Sequence, residues 1–214
     1  MQNILVIGAN GKTGRIITDI LRDSSEFKPF AMVRNEVQQP YFENQGIDTR
    51  LGDLEKDFSN AFKGMHKVIF AAGSGGATSD EKTVDVDQKG AIRAIDLAVA
   101  HKLQKFVMLS SMGTDNPYRI EGLKQYLKSK KAADDYLRES GLVYTIVQPG
   151  GLTNKQGNEM VEIAKKLKKF GEISREDVAK ALVYALEIQR VKNNSFEVIS
   201  GEDDLKERMK NYKE

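Results

Sequence analysis

The sequence predicts an α/β protein built on a doubly wound parallel sheet, as a single domain with a small C-terminal lobe. Three observations lead to this fold class. Short apolar runs, typical of buried strands, alternate with longer segments whose apolar residues recur at helical spacing. A glycine-rich turn, Gly8 to Gly14, separates the first run from the first helical segment. Strands that alternate with helices form a parallel sheet covered on both faces.

Six strands are predicted in the first 150 residues of the chain. Five are short apolar runs, whereas residues 49–51 are a weaker pattern, and several are followed directly by glycine or serine. They cover residues 4–7, 30–33, 49–51, 68–72, 106–109 and 143–147.

Three helices are predicted between these strands from stripes of apolar residues. The third covers residues 123–140 and is closed by Gly141 at a C-cap position. The stripes of the first two are Ile16, Ile17, Ile20 and Leu21, and then Val84, Ala91, Ile92, Ile95, Ala98 and Val99.

The pattern changes after Asn154, so we divide the single domain into a cofactor-binding core, residues 1–153, and a small substrate-side lobe, residues 154–214. Ser174 begins a capping box and therefore a helix. Residues 196–199 form a last strand, and the charged tail after Gly201 is predicted to be a surface helix. Another amphipathic helix is predicted from Met160, Ile163, Ala164, Leu167 and Phe170, with a solvated face of Lys165, Lys166, Lys168 and Lys169.

Composition excludes several classes of function. The 214 residues carry 33 Lys and Arg against 31 Asp and Glu, and this net charge of +2 argues against a nucleic-acid partner. Without cysteine, and with only His66 and His101, which we expect to be structural or solvated, no metal site is predicted. No apolar run reaches the roughly 20 residues of a membrane span, and no signal peptide is recognisable. We therefore expect no membrane association and a cytoplasmic location.

The glycine turn is the first candidate binding motif. Glycines in such a turn let the backbone approach a pyrophosphate, and the following helix N-terminus presents oriented N–H groups. Its position between a strand and an amphipathic helix favours this interpretation over a tight turn that binds nothing. The candidate residues are Gly8, Asn10, Gly11, Lys12, Thr13 and Gly14.

Arg34 lies at the end of the second strand, twenty residues after Gly14. A carboxylate at this place would bind a ribose 2′-hydroxyl, whereas an arginine can pair with a 2′-phosphate. Lys12 and Arg15 add positive charge in the glycine turn. The sequence therefore favours NADP(H) over NAD(H), with a solvated arginine at a strand end as the alternative.

Two further loops are candidate cofactor contacts. Asp53, followed by Leu54, comes after the third strand and either accepts a hydrogen bond from adenine or caps its own loop. Ala71, Ala72 and Gly73 open a run of small residues that extends to Gly76. This run either lets the backbone pass close to a cofactor or forms a flexible loop.

The candidate chemistry follows the fifth strand. Ser110 and Ser111 end that strand, and Tyr126 and Lys130 lie four residues apart on one face of the next helix. An ammonium beside a phenol favours the phenolate and makes the tyrosine a proton donor or acceptor. A serine hydroxyl from the neighbouring strand end would hold the substrate oxygen.

This order of motifs resembles the short-chain dehydrogenase/reductase superfamily, and in detail its atypical branch of small bacterial NAD(P)H-binding, epimerase/dehydratase-like and NmrA-like proteins. The resemblance rests on the glycine turn and on residues 106–113, 126–135, 144–154 and 173–179. It implies a Rossmann-type sheet with NAD(P) across the carboxyl ends of the strands. By the same resemblance Ser111 is the catalytic serine, Tyr126 the acid/base and Lys130 the ribose-binding lysine. Ser110 and the loop Pro149, Gly150 and Gly151 lie near the cofactor.

Two functions follow as expectations. The first is an NADP(H)-dependent oxidoreductase that passes hydride to a small carbonyl, quinone or flavin-like substrate, with Tyr118 as a candidate substrate contact. The second is a catalytically silent NADP(H)-binding redox sensor. Asp87, where many relatives have Asn, and the short lobe favour the sensor, while the serine, tyrosine and lysine set favours the enzyme. Monomer and homodimer are both left open.

Overall fold

The fold is described by a computed structural model that covers residues 1–75, 79–118 and 120–213. Gly76, the end of the small-residue run, lies outside the described residues. The strands are β1 (Gln2–Ile7), β2 (Phe27–Val33), β3 (Asp48–Leu51), β4 (Lys67–Phe70), β5 (Lys105–Leu109), β6 (Tyr144–Pro149), β7 (Gly151–Thr153), β8 (Met160–Ala164), β9 (Glu172–Ser174), β10 (Asn194–Ser200) and β11 (Asp203–Asp204).

Helices connect most of these strands. The α-helices are α1 (Lys12–Arg22), α2 (Gln39–Glu43), α3 (Asp80–Thr83), α4 (Ala91–Ala100), α5 (Lys124–Glu139), α6 (Arg175–Tyr184) and α7 (Leu205–Lys210). A π-helical segment, Val84–Gly90, joins α3 to α4. Short 3₁₀ turns cover Glu36–Gln38, Ser59–Phe62, Glu121–Leu123 and Gln189–Val191.

The predicted doubly wound sheet is confirmed. Nine strands form one sheet in the order β11-β8-β10-β6-β5-β4-β1-β2-β3, and β7 pairs with β9 separately. Strands β1 to β6 and β10 run parallel, whereas β8 and β11 are antiparallel to their neighbours. Chain order reverses between β1 and β4, so a crevice opens there at the carboxyl ends of the strands, where open α/β sheets bind ligands.

The apolar runs are strands because both faces of the sheet are covered. Alternate residues of β1 enter opposite layers. Ile4 and Val6 pack in the layer that includes α1 and α6, and Leu5 and Ile7 pack in the layer that includes α4 and α5. All four side chains are fully buried, which explains why β1 is a continuous apolar run rather than an alternating one.

The amphipathic helix predicted from Met160 to Phe170 is wrong. Met160–Ala164 is strand β8, which pairs antiparallel with β10. Val161 and Ile163 are buried while their neighbours are partly exposed, which is the period-two pattern of a strand. The spacing of Met160, Ile163 and Ala164 imitates a helix, but pairing with β10 decides the structure. The lysines between 165 and 169 therefore lie in the loop after a strand and not on a helix face.

The second predicted helix is interrupted by the π-helical segment. A π-turn adds a residue to the turn and shifts the phase of every side chain that follows. Val99, which we expected on the inner face, is exposed, whereas Ala91, Ile95 and Ala98 are buried as expected. Asp87, inside the π-helical segment, is turned into the protein and fully buried.

The residues after 154 do not stand apart from the main sheet, because β8, β10 and β11 extend it. The helix predicted in the charged tail is present as α7, but Leu205 and Met209 on its inner side are buried. Tyr212 follows it and packs on Phe196 of β10, with ring centroids 5.6 Å apart. The division into residues 1–153 and 154–214 stays a prediction. In the part of the chain that is described, no helix is long and apolar enough to cross a bilayer.

Candidate functional site

The glycine turn lies at the carboxyl end of β1 and makes backbone-to-backbone contacts. Gly8 has a φ of +85°, and a Cβ there would lie 2.5 Å from the Ala72 nitrogen. A Cβ on Gly14 would lie only 2.1 Å from the Gly8 oxygen. Neither position has room for a side chain, so α1 and the end of β4 can pack directly against the turn.

The N-terminus of α1 is open toward the crevice. Gly11 is its N-cap residue and supplies no capping side chain, and no acidic residue lies in the first turn. The first helical N–H groups, those of Lys12, Thr13 and Gly14, have no acceptor within the helix. An anion at this end of the helix is stabilised by these N–H groups and by the helix dipole.

A cavity of about 320 Å³ lies in front of the turn. Arg34 and Asp53, from the ends of β2 and β3, line its far side. The remaining lining includes Gln38, Lys82 and Val86, which sequence reasoning did not single out. Eight of the predicted cofactor residues line the cavity, namely Gly8, Asn10, Gly11, Arg34, Asp53, Leu54, Ala72 and Gly73.

The guanidinium of Arg34 is available to bind a ligand at the cavity. Its side chain is exposed, and no described residue forms an ion pair with it, whereas neighbouring Lys82 pairs with Glu55. The backbone N–H groups of Arg34 and Asn35 both donate to the Gln38 side chain, at 2.9 and 3.2 Å. Gln38 therefore fixes the backbone that carries Arg34 at the cavity rim.

Arg15 and Lys12 do not join Arg34 in the lining of the cavity. The Arg15 guanidinium lies 3.9 Å from the ring centroid of Tyr41 and donates to Asn10 Oδ1 at 2.8 Å. Lys12 is exposed. Asp53 lines the cavity and also accepts the Glu55 N–H at 3.1 Å, so its carboxylate serves the loop as well.

The serine, tyrosine and lysine are brought to the carboxyl ends of β4 and β5. Ser111 is half-buried, and its hydroxyl donates to the neighbouring Met112 carbonyl at 3.2 Å. Tyr126 is half-buried, with the Lys130 ammonium 5.7 Å from its ring centroid. Ser110 is buried and donates to Asp134 at 2.6 Å, so its hydroxyl is not directed into the crevice.

Lys130 forms a buried ion pair with Asp87. Their side chains are 3% and 0% exposed, and Nζ lies 3.2 Å from Asp87 Oδ1. The same ammonium donates to the Ala72 and Leu109 carbonyls, at 3.3 Å each. Burial alone would lower the pKa of Lys130, but the charge of Asp87, with that of Tyr126, outweighs it and raises this pKa.

The other Asp87 oxygen accepts the Ser74 N–H at 2.8 Å. A Cβ on Gly73 would lie 3.0 Å from Asp87 Oδ1, so the loop after β4 lies directly over this carboxylate. The sequence marked Asp87 only as a departure from the family pattern. Its pairing with Lys130, 43 positions away, depends on the π-turn, for which the sequence has no clear signal.

Asp134 is a second buried carboxylate that the sequence did not identify. It lies one turn after Lys130 on α5 and accepts from Ser110 and from Gln148 of β6, the latter at 3.2 Å. Gln148 also donates to Thr114 at 2.8 Å. Burial raises the pKa of Asp134 to about 6, although the hydrogen bond from Ser110 opposes this. The only sequence signal was its four-residue spacing from Lys130.

Metal-ligand side chains do not gather in this crevice. Over residues 1–75, 79–118 and 120–213, no group of three or more His, Asp or Glu is arranged to hold an ion. His66 instead accepts the Asn3 N–H, at 2.9 Å, and His101 lies against Phe62.

Fold and crevice together define the class as Rossmann-type dinucleotide-binding proteins. A model of the NAD(P)H-binding family matches residues 8–189, and the chain belongs to this family. It is 38% identical to a Bacillus subtilis protein named as an uncharacterized sugar epimerase, over 98% of this chain and 99% of that one. It is 28% identical to sanguinarine reductase from Eschscholzia californica, over 98% of this chain and 93% of that one.

Solved structures agree with this assignment. A Bacillus halodurans protein assigned to the NAD-dependent epimerase/dehydratases superposes with a TM-score of 0.95 at 37% identity, covering 99% of this chain and all of that one. A Streptococcus pneumoniae protein assigned as an NADH-flavin reductase superposes with a TM-score of 0.76 at 21% identity, over 94% of this chain and all of that one. At that identity the second likeness shows the fold alone.

Replacing Gly14 with alanine tests the close contact in the glycine turn. The methyl group would lie 2.1 Å from the Gly8 oxygen and must push α1 away from β1. We expect Gly14→Ala to lower the free energy of unfolding by about 1–3 kcal/mol, the usual cost of overpacking, and to weaken NADPH binding at least about tenfold. Urea unfolding and NADPH titration measure the two effects. Gly122→Ala is the matched control, because nothing lies within 4 Å of its Cβ position. Wild-type NADPH affinity in Gly14→Ala would contradict the prediction.

The raised pKa of Asp134 makes stability depend on pH. Its folded pKa of about 6 exceeds the ordinary value of 3.8. Between these values the folded chain keeps a proton that the unfolded chain releases, so the free energy of unfolding falls as pH rises. A difference of about two pH units corresponds to about 3 kcal/mol. Asp134→Asn lacks this titration. We therefore expect its free energy of unfolding to rise by about 2–3 kcal/mol relative to that of the wild type as the pH increases from 4 to 7.

Urea unfolding at pH 4, 5.5 and 7 measures this change. Asp135→Asn is the control, because Asp135 is a partly exposed neighbour that pairs with Lys131 and Arg138. Its profile should follow that of the wild type. Parallel profiles of wild type and Asp134→Asn would show that Asp134 titrates normally.

Proposed function

We propose that the chain is an NADP(H)-dependent oxidoreductase that reduces a small carbonyl, quinone or flavin-like acceptor. The observation that supports the proposal is that Tyr126 lies with its ring centroid 5.7 Å from the Lys130 ammonium, which contacts the carboxyl ends of β4 and β5, and that Ser111 follows β5. Both side chains are half-buried, and among the described residues neither forms a hydrogen bond with another side chain. A binding protein without turnover has no need of a proton donor at this place.

The residues of the crevice fit a dinucleotide. Gly8 and Gly14 let β1, α1 and the loop after β4 pack directly at the turn, and the open N-terminus of α1 would hold the charge of the pyrophosphate. Asp53 and Leu54 would contact the adenine, and Arg34 would pair with the 2′-phosphate. Ala71, Ala72, Gly73 and the Pro149–Gly151 loop would line the nicotinamide half. The bound nicotinamide supplies a hydride to the acceptor.

The side chains of this chain would manage the acceptor oxygen. When a carbonyl carbon receives hydride, negative charge develops on its oxygen, which needs a proton. Ser111 would hold that oxygen by a hydrogen bond and Tyr126 would deliver the proton, which leaves an alcohol. Lys130 would stabilise the tyrosinate that remains and hold the nicotinamide ribose.

One observation favours a second function, an NADP(H)-binding redox sensor. The Lys130 ammonium already has Asp87, Ala72 and Leu109 as partners, and an ammonium has three donors. If it keeps all three partners, it cannot also hold a ribose. An assay of NADPH oxidation against quinones, flavins and small aldehydes separates the two functions. Turnover with any of these acceptors supports the enzyme. No turnover, together with a partner protein that binds only one redox state, supports the sensor.

Arg34 is expected to determine the preference for NADPH. Arg34→Ala should weaken NADPH binding by about 1.5–3 kcal/mol, the usual range for a hydrogen bond to a charged group, and leave NADH binding unchanged. Calorimetric titration with both cofactors measures the difference. Lys12→Ala removes a charge outside the cavity lining and should affect the two cofactors alike. Equal loss of NADH and NADPH affinity in Arg34→Ala would disprove the phosphate pairing.

Tyr126 is expected to be the general acid. Tyr126→Phe should lower kcat for a carbonyl acceptor about 10²- to 10⁴-fold, the usual share of general acid catalysis, while NADPH affinity stays nearly constant. Steady-state kinetics and NADPH titration of the same sample measure both quantities. A reduced quinone or flavin can take its proton from water, so a wild-type rate with those acceptors alone would restrict the role of Tyr126 to carbonyls. A wild-type rate with a carbonyl would rule out the role altogether.

A further inference from the structure

A buried lysine lies at the edge of the sheet opposite the crevice. Lys105 is the first residue of β5 and is only 5% exposed. Because Val107 and Leu109 pack in the layer that includes α1 and α6, the alternation of a strand directs Lys105 into the same layer. Lysine is almost never buried without a partner. The proposed reaction takes place at the other ends of the strands and does not use this side chain.

The amine of Lys105 has no partner of its own. Among the residues that the structure describes, none accepts a hydrogen bond from this amine or forms an ion pair with it. Neighbouring Lys67, by contrast, donates to the Leu186 carbonyl at 2.9 Å. Nζ of Lys105 is not one of the fully enclosed side-chain atoms that lack a partner, so the end of the side chain is within reach of small solutes.

The first charged group beside Lys105 is another lysine. Lys67 of β4 is the residue directly opposite in the parallel register, so the two side chains leave neighbouring strands on the same face. Burial lowers the pKa of Lys67, against the charges of Glu187 and Glu26. These carboxylates therefore act on Lys67, whereas the charges that act on Lys105 are positive.

The second cation beside Lys105 is Lys192. It follows Val191, whose carbonyl accepts the Thr145 hydroxyl at 2.8 Å and so fixes this segment over the start of β6. Burial, together with the charges of Lys67 and Lys192, lowers the pKa of Lys105 to about 8. At pH 7.5 about a quarter of such an amine is neutral, against about one part in a thousand for an ordinary lysine. The neutral amine is a nucleophile, and the ammonium is not.

The site selects an electrophile that is small and that leaves a negative charge. Because Lys105 is largely buried, a bulky acyl donor would not fit against its nitrogen. Carbon dioxide is small and uncharged, and its product with an amine is a carbamate anion. A carbamate on Lys105 would lie between the cations Lys67 and Lys192, so attraction would replace the repulsion among three ammonium groups.

We propose that Lys105 is a modification site that adds carbon dioxide reversibly, and that Lys67 and Lys192 stabilise the carbamate. The lone pair of neutral Nζ attacks the carbon of CO₂ and forms a C–N bond. One C=O electron pair moves to oxygen, and Nζ releases a proton to water, so no oxidant or reductant takes part. The inference goes beyond the proposed function, because the site lies at the amino ends of the strands and takes no part in hydride transfer.

Triethyloxonium ion converts a carbamate into a stable ethyl ester, which peptide mass spectrometry assigns to one lysine. The folded chain is equilibrated with ¹²CO₂ or ¹³CO₂ at pH 7.5 and constant ionic strength, and the mass difference between the two samples identifies carbon from CO₂. We expect Lys105 to be trapped at least about tenfold more than Lys168, an exposed lysine in the loop after β8. In guanidinium chloride, which unfolds the same chain, this preference should disappear.

Two results of this experiment would overturn the inference. The first is the absence of the ester from Lys105, and the second is equal trapping of Lys105 and Lys168 in the folded chain. A preference for Lys105 that persists in the unfolded chain would likewise show that burial and the neighbouring cations do not produce it.

Lys192→Gln tests the neighbouring cation. We expect it to lower the trapped fraction of Lys105 at least about threefold, because Lys105 regains affinity for its proton and the carbamate loses a counter-charge. Lys168→Gln removes the same charge on the crevice side of the molecule, where Lys168 lies near Met112, and should leave the trapped fraction unchanged. Equal effects of the two substitutions would exclude a stabilising role for Lys192.

The melting temperature gives a second readout that does not depend on trapping. A ligand that binds only the folded chain stabilises it, so CO₂ at constant pH should raise the melting temperature of the wild type and not that of Lys105→Gln. NADPH affinity equal to that of the wild type would show that this variant is folded. A CO₂-dependent rise that persists in Lys105→Gln would indicate non-covalent binding of bicarbonate and contradict the carbamate.

Discussion

The buried ion pair of Lys130 and Asp87 holds together several of the elements that form the crevice. Through Lys130 it ties α5 to the ends of β4 and β5, and through Asp87 it holds the loop after β4. Removing one partner of such a pair leaves an unpaired charge in the interior, typically at a cost of about 3–5 kcal/mol. The pair therefore positions the elements on which both proposed functions depend, whatever reaction the site performs.

The charges beneath the crevice do not balance. Two buried carboxylates, Asp87 and Asp134, lie near a single buried ammonium, that of Lys130. Burial raises the pKa of Asp134 to about 6, so a proton on Asp134 restores neutrality only below that pH.

Most of the fold could be predicted from the sequence, because its strands are continuous apolar runs and its helices carry clear stripes. Strand β8 was missed because Met160, Ile163 and Ala164 satisfy a helical spacing, and only pairing with β10 decides between the two periods. The glycine turn and Arg34 could be placed at the cavity from their positions after β1 and β2. The partners of Lys130 and Ser110 could not, because Asp87 depends on a π-turn and Asp134 on the packing of α5 against β6.

The close backbone contact between Gly8 and Ala72 affects how the protein would bind the two halves of a dinucleotide. Gly8 belongs to the turn proposed to hold the pyrophosphate and Ala72 to the loop proposed to line the nicotinamide half, and a Cβ on Gly8 would lie 2.5 Å from the Ala72 nitrogen. With no side chain between them, the two strand ends cannot shift independently. If a dinucleotide binds as proposed, it would meet one continuous surface, and the binding energies of its two halves would be coupled rather than additive.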